Sequence, residues 1–201
     1  MTERVKPVVG VGTAALDYDA ELMLRLKQGD CASFGVLLDK YRSPVIHFLY
    51  RMVQNQAVAE ELAQEVFLRV YRSRSTYEPT ARFTTWLFRI ATHLALNTLR
   101  DSRGEKTREY LDDDGAELPA RQISDRRPTI EQHMLHEARL EEIRGAITAL
   151  PAKQRAAVLM HKYEEMEYSQ IARVLNCSES AVKSLLFRAY ETLRARLAHM
   201  A

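Results

Sequence analysis

Cysteine, glycine and proline are scarce in this chain: two, seven and six among 201 residues. Strand-rich folds spend more Gly and Pro on turns, so the shortage points to a helical fold. Cys31 and Cys177 stand far apart, outside any CxxC or Cys/His spacing, which excludes a zinc module and a disulfide framework. Both read as small buried hydrophobes in a reducing cytosol. There is no apolar run long enough to span a bilayer and nothing shaped like a secretory signal, so no stable membrane insertion is expected. Val5 to Leu16 is mildly apolar but short, and residues 1–19 read as a flexible arm. No nucleophile is paired with a base and there is no phosphate loop or metal set, so neither catalysis nor a cofactor is expected. His133 and His136 lack further ligands. Asp112 to Asp114 begin like a calcium loop but lack its Gly and terminal Glu.

Hydrophobic residues make up 46% of the chain, enough for a real core, and charged residues 28%. The net charge of +2 hides a strong asymmetry. Residues 69–108 carry nine basic groups against three acids, and residues 109–142 carry ten acids against four arginines. A basic stretch followed at once by an acidic one suggests a nucleic-acid face beside a solvated segment.

Apolar residues recur at helical spacing through most of the chain. A short helix is expected over 20–29, with Leu22, Met23 and Leu26 on one side. Gly29-Asp30 punctuates, and Asp30 is placed to cap the next helix, about 31–41. Pro44 suits the first turn of a third helix, about 44–54. A fourth helix, 57–74, turns Ala59, Leu62, Ala63, Val66, Phe67 and Val70 inward. Glu60, Glu61, Gln64, Glu65 and Arg69 lie on its other face. Pro79 breaks the pattern. A fifth helix, about 84–102, holds the single Trp86 with Leu87, Ile90, Leu94 and Leu99. Periodicity then vanishes to Pro128, which reads as a polar linker. Further helices are expected at 129–149, 152–163, 167–175 and 179–198. The layout is all-α, with two small helical domains at 20–104 and 129–201 joined by an acidic linker at 105–128.

The most specific pattern lies at 167–190. Ser169 to Leu175 reads as a short helix, Asn176-Cys177-Ser178 as a tight connection, and Glu179 onward as a second helix. Asn tolerates the left-handed backbone of a helix end, and Ser178 can cap the second helix. Ile171, Ala172, Leu175, Val182 and Leu186 would lock the crossing, with Ala172 small where the helices touch. This is the pattern of a helix-turn-helix. The outer face of its second helix carries Ser180, Lys183, Ser184, Phe187 and Arg188, chemistry suited to phosphates and base edges.

Two further stretches narrow the reading: Ala59-Glu60-Glu61-Leu62-Ala63-Gln64-Glu65-Val66-Phe67, and Phe83-Thr84-Thr85-Trp86-Leu87-Phe88-Arg89-Ile90-Ala91, continuing to Asn97 and Arg100. With the helix-turn-helix, and in that order from about Ala20 to Leu197, they resemble the extracytoplasmic-function (ECF) sigma factors, small two-domain bacterial subunits of the sigma-70 family. The resemblance implies a sigma region 2 domain followed by a region 4 domain. It implies an alternative sigma factor that binds core RNA polymerase and directs promoter-specific transcription initiation in the cytoplasm. Glu60, Glu61, Gln64 and Glu65 would dock on the clamp of the polymerase's largest subunit, and region 4 on the flap. Tyr77, Arg82, Phe83, Trp86, Arg89, His93, Asn97 and Arg100 would read and melt the −10 element, since a flipped strand needs stacking surfaces and cations. Ser178, Ser180, Lys183, Ser184, Phe187 and Arg188 would contact the −35 element.

The sequence departs from the family pattern at His93, at Asn176 in place of a turn glycine, and at Leu185 in place of a DNA-contacting arginine. The −35 preference is therefore expected to differ. The acidic linker would lie near the polymerase active site and RNA exit, where its charge would mimic nucleic acid. Free of polymerase, the domains have room to fold against each other and hide their DNA faces, or to be clamped by an anti-sigma factor, which would hold the protein at the inner membrane. A stand-alone helix-turn-helix regulator is the alternative; it would need neither the acidic helix nor the Trp helix.

Overall fold

Asp17, the first residue described by the computed structural model, serves two helices at once. The description covers residues 17–105 and 130–200, with side chains for 17–102 and 137–200. One carboxylate oxygen of Asp17 accepts from the Ala20 amide at 2.9 Å and caps α1, Tyr18–Lys27. The other accepts from the Phe83 amide at 3.2 Å, where α4 begins, so the entry points of two distant helices are tied together.

Gly29, at φ +102°, turns the chain out of α1. Asp30 then accepts from the Ala32 amide and the Ser33 hydroxyl to start α2, Cys31–Val53. The two expected helices at 31–41 and 44–54 are one, with Pro44 inside. An interior proline costs about 3 kcal/mol in lost hydrogen bonding and crowding. Burial offsets it, because Leu37 and Tyr41 before it and Val45, Phe48, Leu49 and Met52 after it all enter one core. Gln54, at φ 58°, ends α2 in the left-handed region. The Asn55 side chain accepts from the Val58 amide at 2.9 Å and opens α3, Gln56–Arg72. A 3₁₀ turn at Ser73–Thr76 and the break at Pro79 lead to α4, Phe83–Glu105.

The core of this half is rich in large side chains. Phe48 meets Phe88 edge-on with centroids 5.2 Å apart. Asp19, itself buried, accepts from the Tyr41 hydroxyl at 2.6 Å and from Lys40 at 2.7 Å. Burial, with this bond to a carboxylate, pushes the Tyr41 phenol well above its usual pKa.

The second half comprises α5, Ile130–Thr148, α6, Ala152–Lys162, α7, Tyr168–Leu175, and α8, Glu179–Arg196, followed by a 3₁₀ turn at Ala198–Met200. α5 contributes Ala146 to the core and packs Ile147 against it. The described residues contain no strand. No helix among them is long and apolar enough to cross a membrane. The two halves are in contact: α4 packs on α7, and α6 packs on α2 and α4 as well as on its own neighbours. Residues 1–16 of the expected arm, nearly all of the expected linker, with Asp112 to Asp114, and the side chains of His133 and His136 lie outside the described residues; the last three residues of that arm are not flexible, since Asp17 caps α1 and Tyr18 and Asp19 open it, with Asp19 buried.

Candidate nucleic-acid and polymerase interfaces

α3 sorts its residues by face. Ala59, Ala63, Val66, Phe67 and Val70 are buried, while Glu60, Glu61 and Gln64 are exposed and Glu65 is half-buried. Glu65 pairs with Arg69 at 2.7 Å, one turn on. That bond, more than the charge alone, holds the Glu65 carboxyl below its usual pKa. Beside this acidic row runs an open groove of about 650 Å³ between α2 and α3. Phe34, Leu38 and Ile46 form one wall, and Leu68 and Tyr71 the other. Leu68 is 48% exposed. Sequence reasoning did not see the groove. The available signal was Ile46 and Leu68, apolar residues off the inward stripes of their helices.

α4 presents Arg89, His93, Asn97 and Arg100 to solvent, and Arg82, just before its first residue, is exposed as well. Trp86 is half-buried, packed edge-on to Tyr77 at 5.0 Å and tilted against Phe83 at 5.9 Å. Tyr77 and Phe83 are themselves buried, so neither ring faces solvent where a base could stack. The helix start explains this: tying the Phe83 amide to Asp17 draws its ring against Tyr41, centroids 5.4 Å apart. Both rings form the bed on which Trp86 rests. Partial desolvation and, after it, nearby Arg89 lower the pKa of His93.

The helix-turn-helix forms as expected. Asn176 is left-handed at φ 51°. Ser178 accepts from the Ala181 amide at 3.2 Å. Gln170 accepts from the Glu167 amide at 2.9 Å and steadies the start of α7. Ile171, Ala172, Leu175, Val182 and Leu186 are all buried at the crossing. Ser180, Lys183, Ser184, Phe187 and Arg188 are all exposed, Phe187 at 67%. Leu185 is half-buried against the core. A notch of about 480 Å³ opens at the start of α8, lined by Ser178, Ser180, Ser184 and Arg188 together with Lys153 from the first turn of α6. Lys153 is a cation that sequence reasoning missed, because only the fold carries α6 to the recognition helix. Cys31 and Cys177 are exposed, not buried: one opens α2 and the other sits in the turn, so neither reaches a core.

The structure thus brings the α4 set beside the helix-turn-helix, and leaves the acidic row of α3 on separate surface. Trp86 and Arg89 share a cavity of about 320 Å³ with Arg173 and Asn176.

Comparison with known proteins adds to this geometry. Residues 37–105 match the sigma-70 region 2 family model, and residues 140–193 the sigma-70 region 4 model. The chain is 33% identical over 179 residues to RNA polymerase sigma factor CarQ of Myxococcus xanthus, spanning 89% of this chain and 97% of that protein. It is 34% identical over 188 residues to ECF RNA polymerase sigma factor SigE of Mycolicibacterium smegmatis, spanning 93% of this chain and 68% of that one. The fold is shared with CnrH, solved in complex with the cytosolic domain of CnrY, at TM-score 0.67 and 19% identity over 92% of this chain and all of that one. It is also shared with RpoE, solved with the anti-sigma factor NepR from Bartonella quintana, at TM-score 0.66 and 20% identity over 82% of this chain and 96% of that one. The chain belongs to the ECF sigma factors of the sigma-70 family, the subunits that bind core RNA polymerase and direct transcription initiation at promoters.

Proposed function

We propose a division of labour among three helices. The acids of α3, exposed Glu60 and Glu61 and half-buried Glu65, with Gln64, engage the polymerase clamp, and the apolar groove beside them receives a partner's hydrophobic side chains. Charged rim contacts of this kind set orientation and association rate, while the groove supplies buried area. Arg82 just before α4, and Arg89, Asn97 and Arg100 on it, hold the −10 backbone, with Trp86 and His93 toward the bases and Tyr77 and Phe83 supporting Trp86 from beneath. Ser178, Ser180, Lys183, Ser184, Phe187 and Arg188 on α8 read the −35 element, with Lys153 as a further phosphate contact. The units are a region 2 domain over 20–104 and a region 4 domain over 129–201, with region 4 also meeting the polymerase flap. The subunit performs no covalent chemistry. Melting draws on binding energy, as flipped bases and phosphate contacts offset lost stacking. An anti-sigma factor acting on the cytoplasmic chain is the regulatory partner, by analogy with the complexes in which CnrH and RpoE were solved.

The observation that carries this reading is the sorting of charge by helix. The free face of α3 is acidic and that of α4 basic and polar, though both helices share one core. In vitro transcription with core polymerase on genomic fragments tests it. Glu60→Lys with Glu61→Lys should abolish run-off products while leaving DNA affinity intact. Lys183→Ala with Arg188→Ala should weaken binding to promoter fragments and reduce the salt slope by roughly 2, about 0.9 for each phosphate left without its cation. Polymerase-independent binding with no initiation from wild type would favour a stand-alone regulator.

A further inference from the structure

The cavity of about 320 Å³ at the start of α4 is walled by both halves of the chain. The first half supplies Glu78 from the turn before α4, and Thr85, Trp86 and Arg89 from the first two turns of that helix. The second half supplies Arg173 and Asn176 from the end of α7. Contacts outside the cavity hold these walls in place. His93, one turn beyond Arg89, hydrogen-bonds the backbone of Val174 on α7. Buried Arg155 on α6 donates to the carbonyls of Thr148 and Leu150 at the end of α5 and of Met52 at the end of α2. A site whose walls are already seated loses little ordering entropy when a ligand enters.

The charges in this cavity are uncommitted. The guanidiniums of Arg89 and Arg173, on helices far apart in sequence, form neither a hydrogen bond nor an ion pair among the described residues. The carboxylate of Glu78 has no such partner there either. Two guanidiniums lining one cavity make a receptor for phosphate, the anion whose oxygens take paired bonds from arginine.

Thr85 points the same way. It is 3% exposed, and its hydroxyl has no hydrogen-bond partner. A buried hydroxyl left without one is unfavourable, and this residue lines the cavity. Next to it, half-buried Trp86 is braced by Tyr77 and Phe83 and brings an indole to the same space. Aromatic side chains of this kind stack on nucleobases whatever their sequence. Glu78 and Asn176 add acceptors for the amines and hydroxyls that a base and a sugar carry. Cations alone would suit inorganic phosphate. Cations, a ring and acceptors together suit a phosphate joined to a polar aromatic ring. The volume lies at the small end of ligand cavities, which admits one such unit.

We infer that this cavity is a binding site for a free mononucleotide, its phosphate held by Arg89 and Arg173 and its base against Trp86. Arg173 makes the site composite, so the ligand needs both halves and not α4 alone. A ligand of this kind stabilises the arrangement that it binds, by an amount set by its concentration. The site stands on the cavity and not on the assignment of α4 to the −10 strand.

Trp86 is the single tryptophan, so its fluorescence reports on this cavity without a label. The full chain is titrated with adenosine monophosphate and with guanosine monophosphate, exciting at the red edge where nucleotides are transparent. Both should quench Trp86 saturably, with the same Kd by calorimetry, and raise the melting temperature. Inorganic phosphate and adenosine should each bind about tenfold more weakly, since each lacks one part of the contacts. Arg89→Ala and Arg173→Ala should each weaken nucleotide binding about tenfold, the loss of a hydrogen bond to a charged group. Thr85→Val keeps the shape and removes only the unpartnered hydroxyl, so the free protein should stay as stable as wild type while affinity falls roughly threefold. No quenching by either nucleotide at millimolar concentration overturns the site. Binding that survives Arg173→Ala overturns its composite nature. Inorganic phosphate binding as tightly as the nucleotides overturns the role of the ring and the choice of ligand class.

Discussion

The two halves of this sigma factor are stabilised differently. Of the twelve largest fully buried side chains, nine, including Phe48, Phe83 and Phe88, lie in the first half, and only Leu150, Leu159 and Met160 in the second. The first half closes its own core around aromatic rings, with Asp17 and Asp19 fastening helix starts to it. The second half has a small aliphatic core, and its central helix α6 gains the rest of its burial from its neighbour. Apolar area removed from water is the main source of stability, so a half with little of its own depends on docking.

Four changes would sharpen or break this comparison. Phe88→Ala removes a ring from the self-sufficient core and should cost about 3–5 kcal/mol. Chemical denaturation should then show the first half unfolding early. Should the second half lose as much from this change, the cores are one rather than two. Arg155→Ala should cost about 2–4 kcal/mol, since several buried carbonyls lose their donor, and hydrogen exchange should place the loss in α5 to α8 with the end of α2. Protection loss confined to α5 to α8 would mean that docking adds little. Ser178→Ala removes a single cap from α8 and should cost about 1 kcal/mol, lowering −35 affinity more than −10 affinity. A uniform loss would argue against separate readers.

The smallest effect concerns pH. Burial pushes the Glu164 carboxyl up to about 7, against the opposing pull of Arg51 from α2. A carboxyl whose pKa is raised on folding favours the folded state while protonated. That contribution is present below its ordinary value of 4.5 and is lost as pH rises to about 7. Glu164→Gln mimics the neutral acid, so its melting temperature relative to wild type should rise across that window and stay level above it. A flat difference would mean that Glu164 is solvated and the seam looser than described.

Much of this architecture was legible in sequence because the signals are local. Apolar spacing located the helices, and side-chain caps at Asp30 and Ser178 marked two of their starts. Asn176 in the left-handed region completed the helix-turn-helix pattern. Charge separated the faces of α3 and α4. Where local rules met distant packing, they failed. Pro44 should end a helix, yet six buried side chains around it carry the helix through. Tyr77 and Phe83 have the chemistry of base platforms, but Asp17, far away in sequence, draws the start of α4 inward. Cys31 and Cys177 are apolar enough for a core but fall at a helix start and a turn.

The sequence by itself determined the helices, their caps, the helix-turn-helix and the charge carried by each face, since hydrogen bonds and side-chain periodicity within a few residues specify these. Only the tertiary structure decided that the groove beside α3 stays open, that Lys153 joins the recognition helix, and that α6 is covered by two bodies. These depend on which surfaces from distant parts of the chain exclude water from one another, and no local pattern encodes the partner.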